Sequence, residues 1–268
     1  MTAQTRSEIA ALLEKHGLAP IHRLGQHFLA DANITRKIAA LADLGAGSKV
    51  VEVGAGTGTL TRALANTGAT VVAYEIDAGL RPLLRDVTAG LAVELRFADV
   101  MDVDFANALD GPGWKMVANL PYNVGTPVVL EALQNAPEID RYVVMVQIEV
   151  ARRLAASAGS DDYGLPSVVV GIHAEASLVF TVPPQVFYPP PRVGSAVVVI
   201  NRRQAPEFAS RAVLLARAGF GQRRKMVRGS LAEILAEPEA SLEKAGIAPT
   251  SRAEDLSPED YLRLAAVS

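Results

Sequence analysis

The sequence predicts an α/β fold of the Rossmann-like type, a mostly parallel seven-stranded sheet covered by helices, followed by a small all-α domain. Short apolar runs alternate with helical segments through the first 200 residues, the pattern of a parallel sheet buried on both faces. A glycine-rich turn follows the first of these runs, and beyond about residue 204 no strand pattern remains. The 268 residues suit one large and one small domain at roughly 150 residues each, drawn here as 1–203 and 204–268.

Ile9, Leu12 and Leu13 stand at helical spacing within 4–16, with Gly17 as a stop, so a short N-terminal helix is expected. After the loop Leu24-Gly25-Gln26-His27-Phe28-Leu29, a second helix is marked by Ile34, Ile38 and Leu41. Strands are expected at 49–53, 71–74, 93–97, 115–118, 142–146, 178–182 and 195–200, with a helix opening at 60–64. The last two are separated by the proline-rich 183–191 rather than by a helix, which makes that pair antiparallel. Segments 207–219, 222–236, 239–245 and 258–265 read as helices.

No apolar run approaches the roughly 20 residues that span a bilayer, and the polar N-terminus lacks the apolar stretch of a secretory signal. The cytoplasm is the expected compartment. With no cysteine in the chain, disulfides, thiolate nucleophiles, iron–sulfur clusters and cysteine zinc sites are excluded, and no metal is implied.

A net charge of −3 looks wrong for a nucleic-acid binder, but it is an average. Residues 1–200 hold 15 basic and 20 acidic side chains, 201–228 hold 8 basic and only Glu207 acidic, and 229–268 hold 3 basic and 8 acidic. The middle segment is net +7, densest at Arg223-Arg224-Lys225-Met226-Val227-Arg228. Such a run is either a solvated face or a phosphate-binding surface.

The first strand runs into Glu52-Val53-Gly54-Ala55-Gly56-Thr57-Gly58. Glycines let the backbone turn sharply from strand to helix and approach a ligand closely. A dinucleotide fingerprint would need a further glycine where Thr59 stands, so a pyrophosphate ligand is disfavoured. Glu75, after the second strand, can accept both hydroxyls of a ribose, and Asp99, after the third, can accept from an adenine amino group. Together, in this order, they favour an adenosine-containing ligand.

After the fourth strand comes Asn119-Leu120-Pro121-Tyr122-Asn123. An exocyclic amine on adenine is a poor nucleophile because its lone pair is delocalised into the ring. Two acceptors aimed at its hydrogens, the Asn119 side-chain oxygen and the Leu120 carbonyl, favour the pyramidal, positive nitrogen that develops during attack. Pro121 stiffens the turn and Tyr122 offers a flat face for an extruded base.

With Gly25-Gln26-His27-Phe28-Leu29, Pro189-Pro190-Pro191-Arg192-Val193-Gly194-Ser195 and Gln222-Arg223-Arg224-Lys225-Met226-Val227-Arg228-Gly229-Ser230-Leu231, these motifs resemble those of the KsgA/RsmA family, in order over about 23–263. The resemblance implies a class I methyltransferase sheet. It also implies S-adenosyl-L-methionine-dependent N6,N6-dimethylation of two adjacent adenosines in a hairpin loop near the 3′ end of 16S, small-subunit, rRNA. The implied partner is the 30S precursor, met during late assembly, with no membrane and no metal involved, and a monomer is the simplest state.

Carried over residue by residue, the resemblance implies cofactor contacts at His27, Leu29, Gly54, Gly56, Glu75, Asp99 and Asn119. It implies chemistry at Asn119, Leu120, Pro121 and Tyr122, a second aromatic wall at Phe187, and RNA contacts at Arg223, Arg224, Lys225 and Arg228, several sharing a helix face. The family usually has asparagine where this chain has His27. Three rivals are a macrolide-resistance type 23S rRNA adenine methyltransferase, a non-catalytic ribosome assembly factor and a nicotinamide-dependent oxidoreductase. The triple proline and the basic segment disfavour the first, intact Asn119, Pro121 and Tyr122 the second, and Thr59 the third.

Overall fold

A computed structural model describes residues 4–222 and 224–268. The chain divides into two compact units, one gathering the chain up to Ala151 with Ser177–Asn201, the other Arg152–Ala176 with Arg202–Ser268.

In the first unit, helix α1 (Arg6–Lys15) starts from a Thr5 capping box closed by Glu8. The short strand β1 (Phe28–Leu29) precedes α2 (Ala32–Leu41), whose N-terminus is capped by Asp31. Then come β2 (Lys49–Val53), α3 (Thr59–Ala65), β3 (Thr70–Glu75), α4 (Arg81–Val87) and β4 (Val93–Phe97). The unit continues with α5 (Phe105–Ala108), β5 (Trp114–Asn119), α6 (Gly125–Asn135), β6 (Ile139–Gln147) and the start of α7 (Ile148–Leu154). The strands follow the valine-rich runs, whose branched side chains fit a sheet buried on both faces. Val50, Val51, Val71, Val72, Val143 and Val144 all lie in the core.

After α8 (Leu165–His173) the sheet is completed by β7 (Ala174–Val182) and β9 (Ser195–Arg202), with the two-residue β8 (Phe187–Tyr188) between them. The order across the sheet is β4-β3-β2-β5-β6-β9-β7. Strands β2 to β6 pair in parallel, whereas β9 runs antiparallel to β6, from Arg141 opposite Asn201 to Gln147 opposite Ser195. All seven strands expected from the sequence are present, and the antiparallel pairing shown among them is that of β9 with β6. The sheet order turns back on itself between β2 and β5, the type of position where open α/β sheets bind ligands.

The second unit is helical. Helix α8 packs with α9 (Ala209–Gly221) and α12 (Pro258–Ala266). Gly219 lets α9 and α12 approach, since a Cβ there would come 3.2 Å from both Ala253 Cβ and Tyr261 Oη. The sequence expectation of a single break at 203–204 left 152–176 with the sheet, but α8 buries Val168, Val169 and Val170 within the helical unit. The expected helix over 222–236 is also corrected. Among the described residues there, helix covers only α10 (Val227–Ser230), because Met226 bridges to Arg252 and the Val227 N–H bonds to the Ser251 carbonyl. Helix α11 (Pro238–Lys244) follows the sequence expectation.

Candidate functional site

The C-terminal ends of β2, β3, β4 and β5 converge on an open cleft. Of the expected cofactor residues it is lined by His27, Gly54, Gly56, Glu75, Asp99 and Asn119, together with Leu120, Pro121 and Tyr122 from the expected reaction turn. All of these belong to the first unit.

The glycine turn is shaped by close approach. Gly54 has φ 79°, and a Cβ on it would sit 3.4 Å from Pro121 Cδ; Gly56 has φ 56°, and a Cβ there would meet the Phe28 ring at 3.0 Å. The Gly54 and Ala55 N–H groups both donate to the Tyr74 carbonyl, which fixes the turn on the end of β3. Gln4 clasps the turn from outside, donating to the Thr57 carbonyl and accepting from the Thr59 hydroxyl.

Glu75 is buried at the cleft edge. Its Oε2 accepts from the Gly56 N–H at 2.8 Å and its Oε1 from the Asp77 N–H at 3.0 Å. Burial raises its pKa above the usual carboxylate value, and these backbone donors act in the opposite direction. Each oxygen keeps lone-pair capacity for a further donor. Next to it Ile76 is 48% exposed, an apolar surface on the cleft wall that sequence reading passed over. Asp99 caps the turn beyond β4, its Oδ1 accepting from Met101 N–H, and its side chain stands exposed at the lip.

The Asn119 side chain donates from Nδ2 to the His27 carbonyl at 3.1 Å, which leaves its Oδ1 to accept. Leu120 turns its side chain into the core and its N–H to the Met145 carbonyl. Pro121 receives on its carbonyl the N–H groups of Val124 and Gly125, the start of α6. Tyr122 is half-buried, its hydroxyl 2.8 Å from Ser195 Oγ, and burial raises its pKa while the Ser195 hydrogen bond lowers it.

Gln26 ties the preceding loop down, accepting from Ile21 N–H and donating to Asp77 at 2.8 Å. Gln26 and Ser195 were visible within sequence motifs, but nothing local in the sequence told that they brace the cleft.

Two expected contacts lie elsewhere. Leu29 and Phe187 face each other in the β1–β8 pair, both buried in the hydrophobic core. Phe187 is 0% exposed, so its ring packs the core rather than forming an open wall of the cleft. Arg223 lies outside the described residues. Arg224, Lys225 and Arg228 are exposed residues of the second unit, and Arg228 pairs with Glu239 at 2.9 Å. Arg224 and Lys225 precede α10, so the described basic residues of this block do not share a helix face.

Among the described residues no group of three or more His, Asp or Glu could hold a metal ion, and no helix is long and apolar enough to cross a membrane.

The family model described as ribosomal RNA adenine dimethylase matches residues 21–268. A relative named ribosomal RNA small subunit methyltransferase A, from Phenylobacterium zucineum (strain HLK1), is 44% identical over 269 residues, covering 99% of this chain and 94% of its own length. Its namesake from Leifsonia xyli subsp. xyli is 44% identical over 273 residues, covering 97% and 96%. Among solved structures, a dimethyladenosine transferase from Plasmodium falciparum shares the fold with TM-score 0.76 at 22% identity over 89% of this chain and 96% of that one. The 23S rRNA methyltransferase ErmE aligns with TM-score 0.69 at 28% identity over 89% and 98%.

Proposed function

This chain belongs to the ribosomal RNA adenine dimethylase family, and from that premise we infer which reaction its cleft performs and how. The reaction is transfer of methyl groups from S-adenosyl-L-methionine to N6 of two adjacent adenosines in a hairpin loop near the 3′ end of 16S rRNA, twice on each, during assembly of the small subunit. The reading implies a cytoplasmic protein acting as a monomer on the 30S precursor.

The residues present fit an adenosine-containing donor. Glu75 keeps lone pairs for ribose hydroxyls, Asp99 offers an acceptor to an amino group, and Ile76 and Val100 supply apolar surface for a purine. Gly54 and Gly56 leave room for the rest of the ligand. When bound, S-adenosyl-L-methionine supplies an electrophilic methyl on a sulfonium.

The observation that carries the reading is the orientation of Asn119. Its Nδ2 is committed to the His27 carbonyl, so Oδ1 remains as an acceptor on the turn that also carries the Leu120 carbonyl. Two acceptors held on one rigid turn draw the amine hydrogens of an adenine out of the ring plane and stabilise positive charge on N6 as it attacks. The turn is stiffened by Pro121 and anchored by the Leu120 N–H on β6. Tyr122 gives the base a face on which to stack. No strong base is required before attack, because the alkylated nitrogen is acidic and releases its proton afterwards. Arg223, Arg224, Lys225 and Arg228 track the RNA backbone without reading bases.

The 44% identity to proteins named for the small subunit, against 28% to ErmE, supports the small subunit as substrate. The test is incubation with labelled S-adenosyl-L-methionine and undermethylated small subunits, in which label is expected in dimethyladenosine. Asn119→Ala is expected to lower turnover by about 100-fold or more while RNA binding persists. Label confined to large-subunit RNA would establish the resistance-type reaction instead, and no label on any ribosomal particle would leave an assembly factor.

A further inference from the structure

His27 stands where the resembled family usually has asparagine, and the structure gives it a defined place. The imidazole lies against the Tyr122 ring, centroids 5.3 Å apart and planes inclined by 30°. It is held there by its own hydrogen bond, Nδ1 to the Pro189 carbonyl at 2.8 Å. A carbonyl only accepts, so Nδ1 carries the hydrogen and the ring orientation is set. His22 meets the same imidazole edge-to-face, centroids 6.2 Å apart. Tyr122 is fixed at its tip as well, by Ser195. The loop backbone lies in contact with the reaction turn, a Cβ on Gly25 standing 3.5 Å from the Tyr122 nitrogen.

We infer that His27 is a positioning residue for Tyr122: anchored on Pro189, it backs one face of the phenol ring so that the other is presented, in one orientation, to a single target base. The inference rests on the proposed role of Tyr122 as the stacking surface. An asparagine side chain has neither the area nor the plane to do this, so this chain orders its base-stacking ring by a means that the family's usual residue does not supply. His27 acts here through its face and through Nδ1, not as a proton acceptor.

The test is a double-mutant cycle on methylation of undermethylated small subunits, using His27→Ala, His27→Phe, Tyr122→Ala and His27→Ala with Tyr122→Ala. An aromatic pair contributes enough that removing it should lower kcat/KM for the particle about three- to ten-fold. The KM for the methyl donor should move by less than about twofold, His27→Phe should recover most of the loss, and His27→Ala should cost nothing further once Tyr122 is alanine. An equal cost in both backgrounds, or a loss confined to the donor KM, overturns the inference.

A second readout needs no substrate. In fluorotyrosine-labelled protein, the Tyr122 fluorine signal, assigned by its loss in Tyr122→Phe, should shift and broaden in His27→Ala and return toward its original position in His27→Phe. An unmoved signal overturns the positioning role. Should wild-type protein methylate no ribosomal particle, the functional reading fails, and the fluorine signal still decides whether His27 orders Tyr122.

Discussion

Replacing Glu52 by glutamine tests the electrostatics beneath the cleft. Glu52 lies in β2, 1% exposed, with Oε2 unpartnered. Burial is the main cause that pushes its pKa from 4.5 up to about 8; Thr61 acts against this, and the neighbouring Glu75 carboxylate adds to it. The unfolded chain releases this proton near 4.5, whereas the folded protein holds it until about 8. The folded state therefore binds more protons between those values, so the stability is fully present below 4.5 and is lost as pH rises toward 8. At about 1.4 kcal/mol per pH unit, the loss between pH 5 and pH 8 is at most about 4 kcal/mol. That is large beside a typical domain stability of about 5–15 kcal/mol. Glutamine keeps the shape and has no proton to lose. Urea unfolding at pH 5, 6, 7 and 8 should show the two proteins close together at pH 5 and Glu52→Gln ahead by about 2–4 kcal/mol at pH 8. A difference that stays constant within about 0.5 kcal/mol across that range would mean that folded Glu52 is ionised throughout, and the reasoning would fail.

Two further outcomes follow from geometry and charge. Gly58→Ala places a Cβ 2.7 Å from Val87 Cγ2 at a φ of 76°, so a loss of about 2–4 kcal/mol is expected from strain and overpacking together, measurable as a lower urea midpoint with an unchanged slope. Arg223→Glu with Arg224→Glu should weaken binding to small-subunit RNA and flatten its dependence on salt; filter binding between 50 and 200 mM salt checks this, and an unchanged slope would remove the basic block from the interface.

The parts of the fold that were legible in the sequence are those dictated by burial. A strand with both faces covered is apolar almost throughout, so 71–74, 142–146 and 195–200 announce themselves. Gly54, Glu75, Asp99 and Asn119 are grouped by the sequence alone because the ends of parallel strands meet on one side of a sheet. Other features depend on distant partners. The valines of α8 read alike whichever core receives them, so the sequence does not tell that 152–176 packs with the helical unit. The stretch around Met226 has helix-forming residues, but its backbone is engaged by 249–252, which shortens the helix to α10. Phe187 has the chemistry of a stacking wall, and only its pairing opposite Leu29 reveals that it is core.

The β1–β8 pair also bears on when the cleft comes into being. Several ties that hold the loop around His27 come from a short late stretch: Val186 accepts from Ala30, Phe187 and Tyr188 pair with Leu29 and Phe28, and Pro189 accepts from His27. Ser195, which fixes Tyr122, follows a few residues on. Chains are made from the N-terminus at about 5–20 residues per second. A nascent chain thus carries its glycine turn, Glu75 and Asn119 for some seconds before the segment that pins His27 and Tyr122 has been synthesised, and the cleft takes its final form only once the chain through Ser195 is available to fold.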